Sequence, residues 1–204
     1  MTDNQNNIQN GDFKPQETVT SFSGELNDCV STNKDTNTTS INESLKLKQD
    51  TETEIEISTR PANVFDVATY ILEHIGPCSS MKLHKLLYYC QAWSLVWDDK
   101  PLFDSPIEAW ANGPVVRTIF NFHKGLFLVN TKTFALGNPN ILNTNQIETI
   151  KSVLDFYGNK PTQWLVDLTH SEDPWIKARV GLTPTDRGSN VISLESMAEY
   201  YSSL

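Results

Sequence analysis

Between Met81 and Arg117 the hydrophobic positions follow a helical rhythm more strongly than anywhere else in the chain. Leu83, Leu86, Leu87, Cys90, Trp93 and Trp97 recur at spacings of three, four and seven. This places them on one face of a helix of about 16 residues. Lys82, Lys85, Gln91 and Ser94 fall off that face. Tyr88 and Tyr89 sit at its border, where a ring can pack while its hydroxyl stays in water. Asp98, Asp99 and Pro101 end the helix.

The same reasoning sets out the neighbouring elements. Val64, Val67, Ala68, Ile71, Leu72 and Ile75 form an amphipathic stripe behind Asn63, an N-cap residue, and ahead of the Gly76-Pro77 stop. Ser79 or Ser80 can cap the Met81 helix, and so short a connection predicts that the two helices are packed neighbours. Lys100 to Trp110 reads as extended, Asn112-Gly113 as a turn, and Pro114 as the first residue of a third helix that ends at Gly125. Glu108-Ala109-Trp110 with Asn112-Gly113-Pro114 is therefore a strand-to-helix corner or, on a sharper reading, a recognition surface. Leu126 to Leu136 lacks helical periodicity and predicts a short strand or extended crossing before the Gly137-Asn138-Pro139-Asn140 turn. Helices follow behind Asn143 or Thr144, behind Thr162, at Pro174 and behind Ser193. The fold class is mainly α: one compact domain of about six helices with at most a minor β element.

Composition divides the chain in two. Residues 1–60 hold 11 acids against 5 bases, a net charge of −6, and contain no Trp or Tyr. Rich in Asn, Thr, Ser and Gln, this acidic polar tail cannot bury enough apolar surface to offset chain entropy, so disorder is expected there. Thr51 to Ser58 alternates Ile with Glu or Thr and is either an edge strand or a solvated linker. Residues 61–204 carry all five Trp and all six Tyr with a net charge of −3, and form the folded domain. An overall charge of −9 argues against a broad phosphate-binding surface, so no nucleic-acid partner is expected. Three unevenly spaced cysteines, the lack of a leader-like apolar stretch and the absence of any run long enough to span a membrane point to a cytoplasmic protein with reduced thiols.

The search for chemistry yields little. No HExxH, CxxC, GxSxG or Gly-rich phosphate loop occurs, so no metal, cofactor or catalytic set is expected. A zinc site from Cys78, His84 and Cys90 is conceivable but loses to the simpler reading of Cys90 as a buried apolar residue. Asp98 and Asp99 point apart at a helix end. The segment Thr169-His170-Ser171-Glu172-Asp173-Pro174-Trp175 either presents an imidazole and an indole to a partner or caps a helix at Pro174 while Trp175 closes the core. A small hydrolase using His170 is the weakest of the functional readings.

Taken in order, KLHKLLYYCQAWSLVW, PLFDSPIEAWANGPVV, LTHSEDPW and ISLESMAEYY resemble the Panacea domain of SocA-like antitoxins, formerly described as phage-associated GepA-like proteins. The resemblance covers about residues 64 to 202 and leaves the tail outside. It implies a mainly α domain that neutralises a cognate toxin by direct binding and needs no catalytic group. It also admits an adaptor role, handing the toxin to a ClpXP-type protease. The alternative is a phage- or host-associated regulatory interaction module without a toxin. A partner-binding surface is expected at Lys85, Tyr88, Trp110, Asn112, His170 and Trp175, since aromatic and basic side chains often dominate interface energy. The acidic tail, folding on a basic toxin, is the competing contact.

Overall fold

The structure, a computed structural model, describes residues 60–204. The acidic tail and the Thr51–Ser58 segment lie outside the described residues. Helix α1 spans Val64–Ile75 and begins at a capping box: the Asn63 side chain accepts from the amides of Phe65 and Asp66, and the Asp66 carboxylate accepts the Asn63 amide at 2.8 Å. Asp66 also receives Arg60 at 2.7 Å and the Asn138 amide at 2.7 Å, so one fully buried carboxylate ties the start of the domain to a distant turn. Gly76 ends α1 with φ 74°, as the Gly-Pro stop predicts.

Helix α2, Ser80–Trp97, is capped by Ser79 and lies at the centre. The expected apolar face is there, but it is not the only buried one: every residue from Leu83 to Ser94 is buried. Tyr88 and Tyr89 are fully enclosed, and Lys85, Gln91 and Ser94 are at most 2% exposed. The prediction that these groups face water is corrected by where their hydrogen bonds go. Gln91 donates to the Phe103 carbonyl and accepts from the amides of Leu102 and Phe103. Ser94 donates to the Lys100 carbonyl at 2.8 Å, Lys85 to the Pro114 carbonyl at 3.2 Å, and His84 accepts the Val116 amide at 3.2 Å. Polar side chains of α2 thus satisfy the backbone of the irregular stretch 100–116, which would otherwise be buried without partners.

That stretch also contains the main departure from expectation. Strands β2 (Ile107–Trp110) and β3 (Gly113–Val116) form an antiparallel hairpin, so Pro114 lies in a strand and not at a helix start. Pro114 is tolerated because it faces Ala109 in a pair that exchanges no ladder bonds: the Ala109 amide donates to the Asn190 carbonyl, and its carbonyl accepts from Arg179. The third helix, α3, begins later, at Arg117–His123. A second two-stranded sheet pairs β1 (Cys78–Ser79) with β4 (Leu128–Val129), and a short 3₁₀ helix at Thr131–Phe134 completes the crossing.

Helices α4 (Thr144–Tyr157), α5 (Thr162–Ser171), α6 (Asp173–Ala178) and α7 (Leu194–Ser202) surround α2 with the predicted caps at Asn143 and Ser193 and with Pro174 in the first turn of α6. Tyr89 of α2 stacks on Tyr157 of α4 at 4.1 Å, and Trp93 meets Tyr201 of α7 edge-on at 5.4 Å. The described residues form seven α-helices and two small antiparallel sheets, a mainly α domain with a minor β component.

Asp66 supplies a test of the entry to the domain. Burial raises its pKa, but hydrogen bonds from Arg60, Asn138 and Asn63 outweigh burial and hold it below 3.8. Its contribution to stability is present above that value and is lost as the pH falls through the folded pKa. Asp66→Ala is expected to cost about 2–4 kcal/mol in urea unfolding at pH 7. A loss below about 1 kcal/mol would show that water replaces the carboxylate.

Candidate binding site at the hairpin

The expected Asn112-Gly113 turn is shifted by one residue: Ala111 and Asn112 join β2 to β3, Asn112 keeps a negative φ, and Gly113 pairs with Trp110 at φ 97°. That glycine has a second reason: a Cβ there would lie 2.6 Å from Lys85 Nζ and 3.0 Å from Thr169 Oγ1. The turn therefore closes directly over the buried ammonium. Beside it, Trp110 is held on all sides. Its indole donates to Glu108 at 2.7 Å, the Arg117 guanidinium lies 4.8 Å over its ring, and Phe120 packs edge-on at 4.7 Å. Its carbonyl accepts the indole of Trp175 at 3.0 Å, and Trp175 is stacked between His170 at 4.2 Å and Arg179 at 5.1 Å.

Four of the six expected contact residues are brought together at or beside this hairpin with accessible surface: Trp110, His170 and Trp175 are half-buried, and Asn112 is exposed. Lys85 belongs to the same place, but as its floor. Tyr88 does not: it points into the aromatic core, edge-on to Tyr89 at 5.4 Å and Tyr201 at 6.1 Å. Lys85 and Tyr88 are thus corrected from surface contacts to interior residues, because the helix that carries them is covered on every side.

A pocket of about 370 Å³ opens between the hairpin and α3. Lys85, His84, His123, Trp110, Phe120 and Asn112 line it, and Arg187 from the loop before α7 stands at its edge. An adjoining hollow of about 470 Å³ shares Trp110, Phe120 and Arg187 and adds Arg117 and Lys124. No carboxylate lines either one. Periodicity could not have revealed His84, His123, Phe120 and Arg187 as neighbours, since they come from three separate segments; the hint was a basic residue, Arg187, in the Asp186-Arg187-Gly188 turn.

The two histidines form a defined pair, with Nε2 to Nε2 at 2.8 Å. Because His84 Nδ1 accepts the Val116 amide, its proton resides on Nε2 and is donated to His123 Nε2, which leaves the His123 proton on Nδ1. Both rings are then neutral. Burial, followed by the neighbouring His123 and Lys85, pushes His84 well below its ordinary pKa, and burial also lowers His123. Lys85 is brought down to about 7 by burial. His170 is lowered first by burial and then by the Lys85 charge. Of the thiols among the described residues, burial raises Cys78 to about 11 and Cys90 further still. Among the described residues no group of His, Cys, Asp or Glu is arranged to hold a metal ion, and no helix is long and apolar enough to cross a membrane.

The hairpin, the short helix α3 and the loop before α7 thus enclose a pocket on a helical domain. Residues 83–176 match the model of the family described as Antitoxin SocA-like, Panacea domain. The family is the one indicated by the order of the motifs, and the matched segment runs from α2 through the hairpin to α6. No curated protein and no solved structure matches the chain.

Lys85 and the histidine pair give stability a definite pH dependence. Where the unfolded chain binds more protons than the folded one, stability rises with pH. This holds for Lys85 from about 7 up to its ordinary 10.5, and for the two histidines below 6.5. Lys85→Met is expected to stabilise the domain at pH 7 by about 1–3 kcal/mol, since a buried charge gives way to an apolar chain of similar length. It is also expected to flatten the rise between pH 7 and 9.5, as read by thermal melts. A variant less stable than the parent at pH 7 would show that the ammonium contributes net stability where it lies.

Proposed function

We propose that this protein is the antitoxin of a toxin–antitoxin pair and that it acts by binding its cognate toxin directly. The observation that carries the reading is the Panacea match over residues 83–176. An exposed apolar ridge beside the pocket supports it. Phe122 and Leu126 are each 49% exposed, Leu128 is 62% exposed and Phe127 is 78% exposed, on α3, the turn that follows it and the start of β4. Large apolar side chains gathered on one short segment are uncommon on a monomer and mark a protein-binding surface. At the hairpin Asn112 is exposed and the half-buried Trp110, packed on Phe120, adds an aromatic anchor. Neutralisation by binding asks nothing of His170 beyond packing on Trp175, so the hydrolase reading gains no support from its surroundings.

Delivery of the toxin to a ClpXP-type protease is a separate property of the same complex and would appear as loss of toxin protein in addition to loss of toxicity. A regulatory module without a toxin is the remaining alternative. Co-expression with the neighbouring reading frame under inducible control separates these. The full chain is expected to restore growth, whereas Phe127→Ser with Leu128→Ser is expected to fold as the parent does and to bind the toxin at least about tenfold more weakly, a change of about 1.4 kcal/mol. His170→Ala is expected to protect fully. A neighbouring product that is not toxic, or toxicity that the full chain does not relieve, would overturn the antitoxin reading.

A further inference from the structure

We propose that the pocket between the hairpin and α3 is a binding site for a small planar anion: an aromatic or heterocyclic molecule carrying a carboxylate or phosphate group. The inference does not depend on the antitoxin reading.

The floor of the pocket is the first argument. Lys85 is 1% exposed, and of its three donors one has a recorded acceptor, the Pro114 carbonyl at a long 3.2 Å. No carboxylate among the described residues forms an ion pair with it. A buried ammonium without a counter-charge costs several kcal/mol relative to an apolar chain of the same length. Its position against a cavity leaves space for the missing negative group, which an apolar floor would not hold.

Other donors surround the same space. His123, 4% exposed, has its proton on Nδ1 by the tautomer argument above, and that nitrogen has no hydrogen-bond partner beyond its own residue. The Asn112 side chain and the exposed Arg187 guanidinium stand at the mouth. Lys124 continues the positive lining into the adjoining hollow, where Arg117 is already paired with Glu108 at 2.8 Å. The absence of any acid from both linings contrasts with a chain whose net charge is −9. A site that collects cations within an acidic protein attracts anions selectively.

The walls select for shape. Trp110 and Phe120, edge to face at 4.7 Å, offer ring surfaces, and Trp110 is fixed by Glu108 and Arg117 before anything binds. Met81 and Val115 complete the apolar part. A volume of about 370 Å³ admits a one- or two-ring molecule with one anionic group, which matches the usual make-up of ligand pockets: apolar walls with a few convergent polar groups.

The test uses the full chain labelled with ¹⁵N, the Trp110 indole N–H as reporter, and two pairs of probes: AMP against adenosine, and indole-3-carboxylate against indole. Assignment of the reporter comes from Trp110→Phe. AMP or indole-3-carboxylate is expected to shift the Trp110 signal on titration, with the uncharged member of the same pair binding at least about tenfold more weakly. Which of the two anions binds tells phosphate from carboxylate. Lys85→Met is expected to reduce that affinity by at least about tenfold, and Arg187→Ala, at an exposed position with no bearing on the fold, by about threefold. Equal affinity for charged and uncharged probes, or no shift with either anion at about 10 mM, would overturn the proposal. So would an affinity that Lys85→Met and Arg187→Ala both leave unchanged; if Lys85→Met does not fold, the Arg187→Ala result decides.

Discussion

The structure depends on one constraint: α2 is covered on every side from Leu83 to Ser94, so the polar side chains it carries there are turned to the interior of the protein. A helix with a single apolar stripe can leave its other faces to water. Here Gln91, Ser94, Lys85 and His84 cannot, and their partners are the backbone groups of residues 100–116. The irregular stretch and the polar face of the helix solve each other's problem. A loop with few ladder bonds gains donors and acceptors, and the helix gains a cover that an apolar sheet could not supply. The hairpin is placed by this exchange, and with it the pocket.

Much of the fold was legible from local chemistry. Asn63, Ser79, Asn143 and Ser193 all cap the helices they precede, and Gly76 and Pro174 do what their backbone preferences dictate. These signals are short-range, and tertiary packing did not override them. The burial of Lys85, Tyr88 and Tyr89 was not legible, because a stripe argument assumes that one side of a helix meets water. The Pro114 strand was missed for a related reason. Proline marks a helix start or an edge strand equally well, and the choice was made by Asn190 and Arg179, more than 60 residues away in the chain, which claim the Ala109 backbone.

The aromatic and turn motifs singled out in the sequence lie together in the fold, but the sequence did not show the form of what they frame. Trp110, Asn112, His170 and Trp175 do meet, through the bond from Trp175 to the Trp110 carbonyl. What they frame is a basic pocket beside an apolar ridge, and both features arise from juxtaposition: His84 with His123, and Phe120 with Trp110. Leu126 to Leu136, with β-branched and aromatic residues and no helical periodicity, predicts a short strand or an extended crossing. The strand is only Leu128–Val129, and the side chains of Leu126, Phe127 and Leu128 are left outside.

Glu172 gives the chain's last helix a particular standing. The residue is the joint between α5 and α6, and its fully buried carboxylate accepts a hydrogen bond of 2.8 Å from the hydroxyl of Tyr201 in α7. Helix α7 is thus a plug that seats Met197 and Tyr201 in the centre of the domain, though Ser203 and Leu204 beyond it are exposed. A peptide fused after Leu204 can be carried without disturbing the interior. Loss of α7 would remove that hydroxyl and open the aromatic core, so the interior of the domain rests on a nine-residue helix.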